Sequence, residues 1–424
     1  MVKLRAILLA GGYGTRLNPL SYRTPKCLMP IAGKANIVYL IEMLRDAGIK
    51  DIILSLNVTQ KKVKEFLGDG SKFGVKMDYV FEQSSSDKDK LGAIGALQYV
   101  ISNCGIKGDT LVIGADNFIY GLDVSKFNAF HKKSGGLATI ALYNLVDKSK
   151  VEQFGIASID EKTGKVLKFQ EKPKVEEAVS RLASTLFYQI DEKFLRENLP
   201  RYVNEKKSRG EKPDKIGDLW QYFVNKIPIF GYVFEGIWGD VGNAETYIGV
   251  NKEVMNFLKR KIEKNIKISE DAFISGNGVV IGNGVVIEDG VKIKGPAIIE
   301  DNCVIKKNAV IGPYTYILHD TQIGEKSIVM GSIIFEKVKI GAKVRCEDCI
   351  IDGLSEIEDN SIVEHHSIIG YKAKLREGCR VFARSKIWPY MVLEKEGITE
   401  GEVTFPEIMN TNFGKELEES KYWC

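Results

Sequence analysis

The stretch LAGGYGTRLNPLSYRTPKCLMP, from Leu9 to Pro30, gathers glycines, two threonines, two arginines and a lysine near the start of the chain. Glycines leave backbone amides open to an anion, and successive amides form nests that bind phosphate or carboxylate. Arg16 adds a planar guanidinium that grips two oxygens at once, Thr15 adds a hydroxyl, and Lys26, after Pro25, adds a compact charge. Neither common phosphate loop is present. There is no Walker A pattern, and the dinucleotide pattern G-x-G-x-x-G fails because Leu17 stands where the third glycine is due after Gly12 and Gly14. An amide nest with two fixed cations suits a polyphosphate better than a single carboxylate, so the expected ligand is a nucleoside triphosphate.

Such a loop needs a rigid frame. From about 1 to 250, β-rich runs such as RAILLA, DIILSL, TLVIGA and GLATIALY alternate with helical patterns such as IVYLIEMLRDAG. The alternation predicts an α/β sheet covered by helices on both faces. The glycine loop follows the first strand, and ligands of such sheets bind beyond the carboxyl ends of strands. The segment VNKEVMNFLKRKIEKN carries Val250, Val254, Phe257, Leu258 and Ile262 at helical spacing, which predicts a connecting helix over 251–267.

The period then changes to six. Ile281, Ile287, Ile293, Ile299, Ile305, Ile311, Ile317, Ile323 and Val329 hold one register, and Ile351, Ile357, Val363, Ile369, Leu375, Val381 and Ile387 hold a second. A triangular coil generates a six-residue repeat, each side a short strand with one aliphatic residue on the axis. A parallel β-helix is expected over 268–390, with glycine and asparagine at corners that need positive φ. The register slips between Val329 and Ile351, where a loop or distorted coil is expected. Residues 391–424 read as a polar tail without a motif.

The 60 basic and 56 acidic residues of the 424-residue chain nearly cancel, which speaks against nucleic acid or an anionic membrane as partner. Apolar residues at 44% and charged residues at 27% place the chain among soluble globular proteins. With no long apolar run and no cleavage-site pattern, the expected location is the cytoplasm. Seven cysteines scattered through the chain make no disulfide framework. Cys346 and Cys349 form one C-x-x-C with no second pair for zinc, so packing within a repeat is the expected role.

LAGGYGTRLNPL followed by TPKCLMPIAGK resembles the signature of the sugar-1-phosphate nucleotidylyltransferases. The likeness extends to LGAIGAL at 91–97, IGADNFIYG at 113–121, FQEKPK at 169–174 and GIWGDVGNAETY at 236–247, in the family's order. The resemblance implies a Rossmann-like nucleotidyltransferase domain with a mixed, mostly parallel sheet at 1–250, followed by a left-handed β-helix of hexapeptide repeats. It also implies that a nucleoside triphosphate and a hexose 1-phosphate give a nucleotide sugar and pyrophosphate. A phosphate monoester is largely dianionic near neutral pH, so the nucleophile needs no general base. That agrees with a chain whose four histidines, His131, His319, His365 and His366, lie outside the matched motifs.

Residue by residue, the resemblance implies that Arg16 braces the β- and γ-phosphates, Lys26 bridges oxygens at the reacting centre, and Asp116 and Asp240 hold Mg²⁺. It assigns the nucleotide to Leu9, Ala10, Gly11, Gly12, Gly14, Thr15, Gln83 and Gly92. The sugar 1-phosphate falls to Lys172, Glu171, Asn117, Gly155 and Thr185. One departure stands out: STLFYQI places Leu186 where many relatives have glycine, and a side chain there narrows the sugar pocket.

LGAIGAL is closer to the branch that transfers guanylyl to mannose 1-phosphate, with thymidylyl or uridylyl transfer to glucose 1-phosphate as the alternative. Two other readings stay open. The β-helix of some relatives transfers acetyl groups, for which His365 and His366 are the candidate bases, and other relatives are non-catalytic sensors of nucleotide sugars. The β-helix, with long flat faces and open end coils, is expected to mediate homo-oligomer assembly.

Overall fold

A computed structural model describes residues 4–83, 91–105 and 107–404. Its packing divides into two compact units. One holds the chain through Tyr13, Lys26–Leu28 and Asn36–Gly239; the other holds Gly14–Pro25, Met29–Ala35 and the chain from Asp240 onward. The glycine-rich stretch is therefore shared between them, with Gly11, Gly12 and Lys26 in the first and Thr15 and Arg16 in the second.

The first unit is built on a mixed nine-stranded sheet. Lys76–Glu82, Asp51–Asn57, Arg5–Leu9 and Thr110–Gly114 lie side by side in that order, all parallel. Their apolar runs are continuous rather than alternating because both faces are covered; Ala6, Ile7, Leu8, Leu111, Val112 and Ile113 are all fully buried. Leu182–Ile190 runs antiparallel to Thr110–Gly114 and turns the sheet toward Ala138–Asn144, Gly155–Ile159 and Val166–Glu171. Leu9 is in register with both Ser55 and Gly114, and Asn57 with Glu82. The loops that follow these parallel strands thus leave from one edge.

The second unit is a left-handed parallel β-helix of three ribbons with nine, eight and eight short strands. Its strands run from Lys261–Ile262 to Glu402–Val403, past the expected 268–390 at both ends. The helix expected over 251–267 is found at Ala244–Met255. Residues 405–424 of the expected tail lie outside the described residues. The repeat positions fill the axis, Ile281 through Ile323 and Ile351 through Ile387 being buried in one core. Corner residues such as Gly284, Gly290, Asn302 and Asn360 have φ between 60° and 69°.

The expected interruption between Val329 and Ile351 does not occur. The strands Thr315–Ile317, Ile333–Ile334 and Ile350–Ile351 pair in succession, and Ile334, Ile340 and Cys346 take the axial positions. The slip comes from two sides shortened by one residue, Val329 to Ile334 and Cys346 to Ile351, which the coil absorbs at its corners. Among the described residues, no helix is long and apolar enough to cross a membrane.

Candidate active site

In the first unit, residues from four strand ends meet at the carboxyl edge of the parallel strands. Ala10 continues the first strand by donating its N–H to Ser55 O at 2.9 Å, and Leu9 and Ala10 are buried. Asn57 Nδ2 donates to Gly11 O and Gln60 Nε2 to Gly12 O, both at 3.2 Å, so side chains from the neighbouring strand end hold the glycine backbone. A Cβ on Gly12 would meet nothing within 4 Å, and its φ is not in the left-handed region. Neither packing nor backbone geometry demands glycine at position 12, and the open space over it leaves its backbone accessible.

Lys26 is only 7% exposed and points its Nζ at Asp116 Oδ2, 3.4 Å away. Asp116 follows the strand Thr110–Gly114 and keeps 38% of its side chain exposed. Its Oδ1 accepts from Asn117 Nδ2 at 3.3 Å, and Trp238 Nε1 in turn donates to Asn117 Oδ1 at 3.2 Å. Asn117 thus orients the carboxylate, and an indole fixes Asn117.

The base-side expectations fare unevenly. Gln83 is exposed, just past the end of its strand. The preceding residue, Glu82, is 2% exposed, accepts from Ser55 Oγ at 3.0 Å, and lies so close to Gly11 that a Cβ there would be 2.6 Å from Oε1. Burial pushes the Glu82 carboxyl above its ordinary value, against the opposing hydrogen bonds from Ser55 and the Leu91 backbone. Gly92 has φ 73°, and a side chain on it would overlap the Asp214 carboxylate. Glu82 and Asp214 escaped the sequence reading; the one signal for Glu82 was a carboxylate ending a strand at the ligand-binding edge.

On the sugar side, the Glu171 carboxylate is wedged between two glycines. A Cβ on Gly155 would lie 3.1 Å from Oε2, and one on Gly217, in the first turn of the helix Ile216–Phe223, would overlap it. Burial raises the Glu171 carboxyl, and the Lys172 charge partly offsets this. Lys172 has φ 49° and Leu186 φ 55°; among the described residues of this unit they are the only non-glycine residues in the left-handed region. Strained backbone of this kind clusters at binding sites. Leu186 interrupts the pairing of its strand with Ala138–Asn144, and its Cδ2 would lie 2.9 Å from a Cβ on Gly114. Thr185 does not join this group: it is fully buried, and its hydroxyl donates to Ala141 O at 3.0 Å. The alternation of strand residues turns it into the sheet.

In the second unit, Gly14 takes φ 66° and starts the short turn Thr15–Leu17. Arg16 Nη2 pairs with Asp240 Oδ2 at 3.1 Å, with 68% and 24% of the two side chains exposed. A Cβ on Gly242 would meet both, at 3.0 Å from Arg16 Nη2 and 2.7 Å from Asp240 Oδ2. Within its own unit each of the two aspartates lies beside a cation, Asp116 beside Lys26 and Asp240 beside Arg16. No group of three or more potential metal-binding side chains occurs among the described residues.

Two other sequence features lie in the β-helix. Cys346 and Cys349 are fully buried in the β-helix core, and the hydrogen bond between them, together with burial, pushes the Cys346 thiol up. His366 takes φ 59° at a corner, as Asn360 and Lys372 do at theirs, and His365 lies 3.5 Å from Asp348 and 3.9 Å from Glu347.

The nucleotidyl transferase family model matches residues 5–256, and the GMPPB C-terminal domain model matches 293–403. A UTP–glucose-1-phosphate uridylyltransferase of Synechocystis is 30% identical over 62% of this chain and 66% of its own length. A glucose-1-phosphate thymidylyltransferase of Streptomyces antibioticus is 31% identical over 62% and 69%. The catalytic subunit beta of a Dictyostelium discoideum mannose-1-phosphate guanylyltransferase is 27% identical over 61% and 66%. The chain thus spans about two thirds of the length of these curated relatives. The crystal structure of a candidate glucose-1-phosphate thymidylyltransferase from Bacillus anthracis superposes with a TM-score of 0.50 at 26% identity, over 58% of this chain and 94% of that one. With the glycine loop, the strand-end aspartate and the family match all covering the same residues, this chain belongs to the nucleotidyl transferase family.

Proposed function

We propose that the protein is a sugar-1-phosphate nucleotidylyltransferase, joining a nucleoside triphosphate to a hexose 1-phosphate with release of pyrophosphate. The observation that carries this reading is the buried Lys26 aimed at Asp116 in the unit that also holds Gly12, a glycine that packing does not require. A lysine held in a nearly dry site is worth more to a developing charge than one in water, because it needs no reorganisation when that charge forms. Lys26 neutralises oxygens around the α-phosphorus and Arg16 braces the β- and γ-phosphates. Lys172 holds the incoming phosphate, whose own oxygen is the nucleophile, and Glu171 accepts from sugar hydroxyls. The α-phosphorus is attacked in line, and the bond to the pyrophosphate oxygen breaks. By their sequence context Asp116 and Asp240 are the proposed ligands of Mg²⁺, which supplies charge neutralisation between the two anionic substrates.

Within that class the proposal commits to GTP and mannose 1-phosphate. Glu82 offers acceptor oxygens, which complement the adjacent N1–H and N2–H donors of guanine, whereas uracil and thymine present one N–H between two carbonyls. The GMPPB C-terminal domain match points the same way. We also propose a cytoplasmic homo-oligomer assembled through the β-helix. Pyrophosphate release with Mg²⁺ is to be measured for five nucleoside triphosphates against glucose, mannose, galactose and N-acetylglucosamine 1-phosphates. Preference for GTP with mannose 1-phosphate supports the full reading. Preference for another pair keeps the class and removes the guanylyl assignment, and silence in every pair from folded protein overturns the class.

A further inference from the structure

Seven residues beyond Arg16, the same segment of the second unit carries Arg23, only 11% exposed at its side chain. Its Nη1 meets Glu336 Oε1 at 2.5 Å and its Nη2 meets Asp352 Oδ1 at 2.9 Å. The guanidinium carbon lies 4.9 Å from the centroid of Tyr371 and 5.8 Å from that of Phe335. These four residues share one corner of the β-helix. They directly follow the strands Ile333–Ile334, Ile350–Ile351 and Ile368–Ile369, which stack on one ribbon in successive coils. In the next coil Trp388 packs on Tyr22, ring centroids 4.9 Å apart.

The corner has room for Arg23 because of Gly353. A Cβ there would lie 2.6 Å from Glu336 Oε1 and 3.2 Å from Arg23 Nη2, although the Gly353 backbone is not left-handed and does not itself call for glycine. The missing side chain, two carboxylates and two aromatic walls form a socket of the shape and charge of one guanidinium. Burying such charges gains little net stability, since an apolar set of similar volume often does as well or better. What a buried ion pair can add is a single geometry.

That geometry reaches Arg16 through the segment's own cross-links. Ser21 Oγ lies 3.0 Å from Gly14 O and 2.5 Å from Asn18 Oδ1, its one proton shared between these acceptors on either side of the turn Thr15–Leu17, and Leu17 and Leu20 are fully buried. Met29–Ala35 is tied into the same unit, with Tyr247 Oη donating to Pro30 O at 2.6 Å and Ala32 N to Asn251 Oδ1 at 2.9 Å. We propose that Arg23 is a positioning residue for nucleotidyl transfer: seated in its socket on the β-helix, it fixes the segment Gly14–Pro25 and so the placement of Arg16. This inference rests on the nucleotidylyltransferase reading, in which Arg16 braces phosphates.

The test uses the full chain with Arg23→Gln, Arg23→Lys and Gly353→Ala. Gly353→Ala intrudes on the movable Glu336 side chain and disturbs the socket from the β-helix side. Three quantities are read: kcat and the two KM values from pyrophosphate release, thermal stability, and amide hydrogen exchange over 14–25. The expected result is a drop in kcat of tenfold or more for Arg23→Gln, with the KM for sugar 1-phosphate within twofold. Arg23→Lys should restore part of the loss, Gly353→Ala should reproduce it, and exchange over 14–25 should quicken while the β-helix stays protected. Should Arg23→Gln fail to fold, Gly353→Ala carries the same test. Turnover within twofold of the parent in the folded variants overturns the proposal. If the parent protein itself releases no pyrophosphate, the catalytic reading has failed separately, and unchanged exchange over 14–25 then overturns the positioning role as well.

Discussion

Leu186 holds a φ of 55° and lays its side chain over Gly114, close enough that a Cβ on that glycine would lie 2.9 Å from Leu186 Cδ2. A leucine in the left-handed region carries a penalty of roughly 1–2 kcal/mol that glycine avoids. Replacing it should therefore invert the usual order: Leu186→Gly should be more stable than Leu186→Ala by about 1 kcal/mol, because both lose the same packing and only alanine keeps the strain. Chemical denaturation of the two variants checks this, and equal stability would show that the backbone relaxes around the substitution. In the same pair, the KM for sugar 1-phosphate should move more than the KM for the nucleotide.

Lys26 should be the most sensitive cation in the first unit, because it is buried and paired with Asp116. Lys26→Met should lower kcat by 100-fold or more, about 2.7 kcal/mol of barrier. Asp240→Asn should cost more than tenfold. A smaller loss in steady-state pyrophosphate release would remove the two-aspartate metal site.

Glu82→Gln keeps an oxygen for the Ser55 hydroxyl but turns one acceptor into a donor. The ratio of kcat/KM for GTP over that for UTP should fall by roughly 10-fold to 100-fold, in line with the 1–3 kcal/mol attached to a buried hydrogen-bonding group left unpaired. An unchanged ratio would move base selection elsewhere.

The Asp352 carboxyl gives a pH signature. It is fully buried, facing Arg23 and Glu336 with the Tyr247 hydroxyl nearby, and burial pushes it from 3.8 up to about 6 against the opposing pull of Arg23. Because the folded value lies above the ordinary one, the folded chain binds this proton more tightly than the unfolded chain. Stability from this group is thus greatest below pH 4 and is lost as pH rises toward and through 6, by at most about 3 kcal/mol. Melting temperatures of the parent and Asp352→Asn should therefore diverge between pH 4 and 7, the parent losing ground as pH rises. A constant difference would mean that Asp352 keeps its ordinary value.

The local pattern determined much of this protein. A six-residue period allows only a coil with aliphatic residues on its axis, and Gly12, Gly14, Arg16 and Lys26 already spelled an anion loop, because both signals lie in residues adjacent along the chain. The edge at which Asp116 and Glu171 lie followed from where their strands end. The tertiary structure decided what depends on neighbours distant in sequence. Glu82, the last residue of its strand, turns its carboxylate to Gly11, since the pleat points successive side chains to opposite sides of the sheet. Thr185 turns inward for the same reason. The slip after Val329 became two shortened sides of one continuous stack, because inter-coil pairing holds each ribbon in register even where a corner loses a residue. Arg23 found Glu336 and Asp352, more than three hundred residues away, only because the β-helix brings three coils to one corner and Gly353 leaves space there. A period along the chain records which way a side chain points; which partner it meets is set by the packing of segments that the sequence holds far apart.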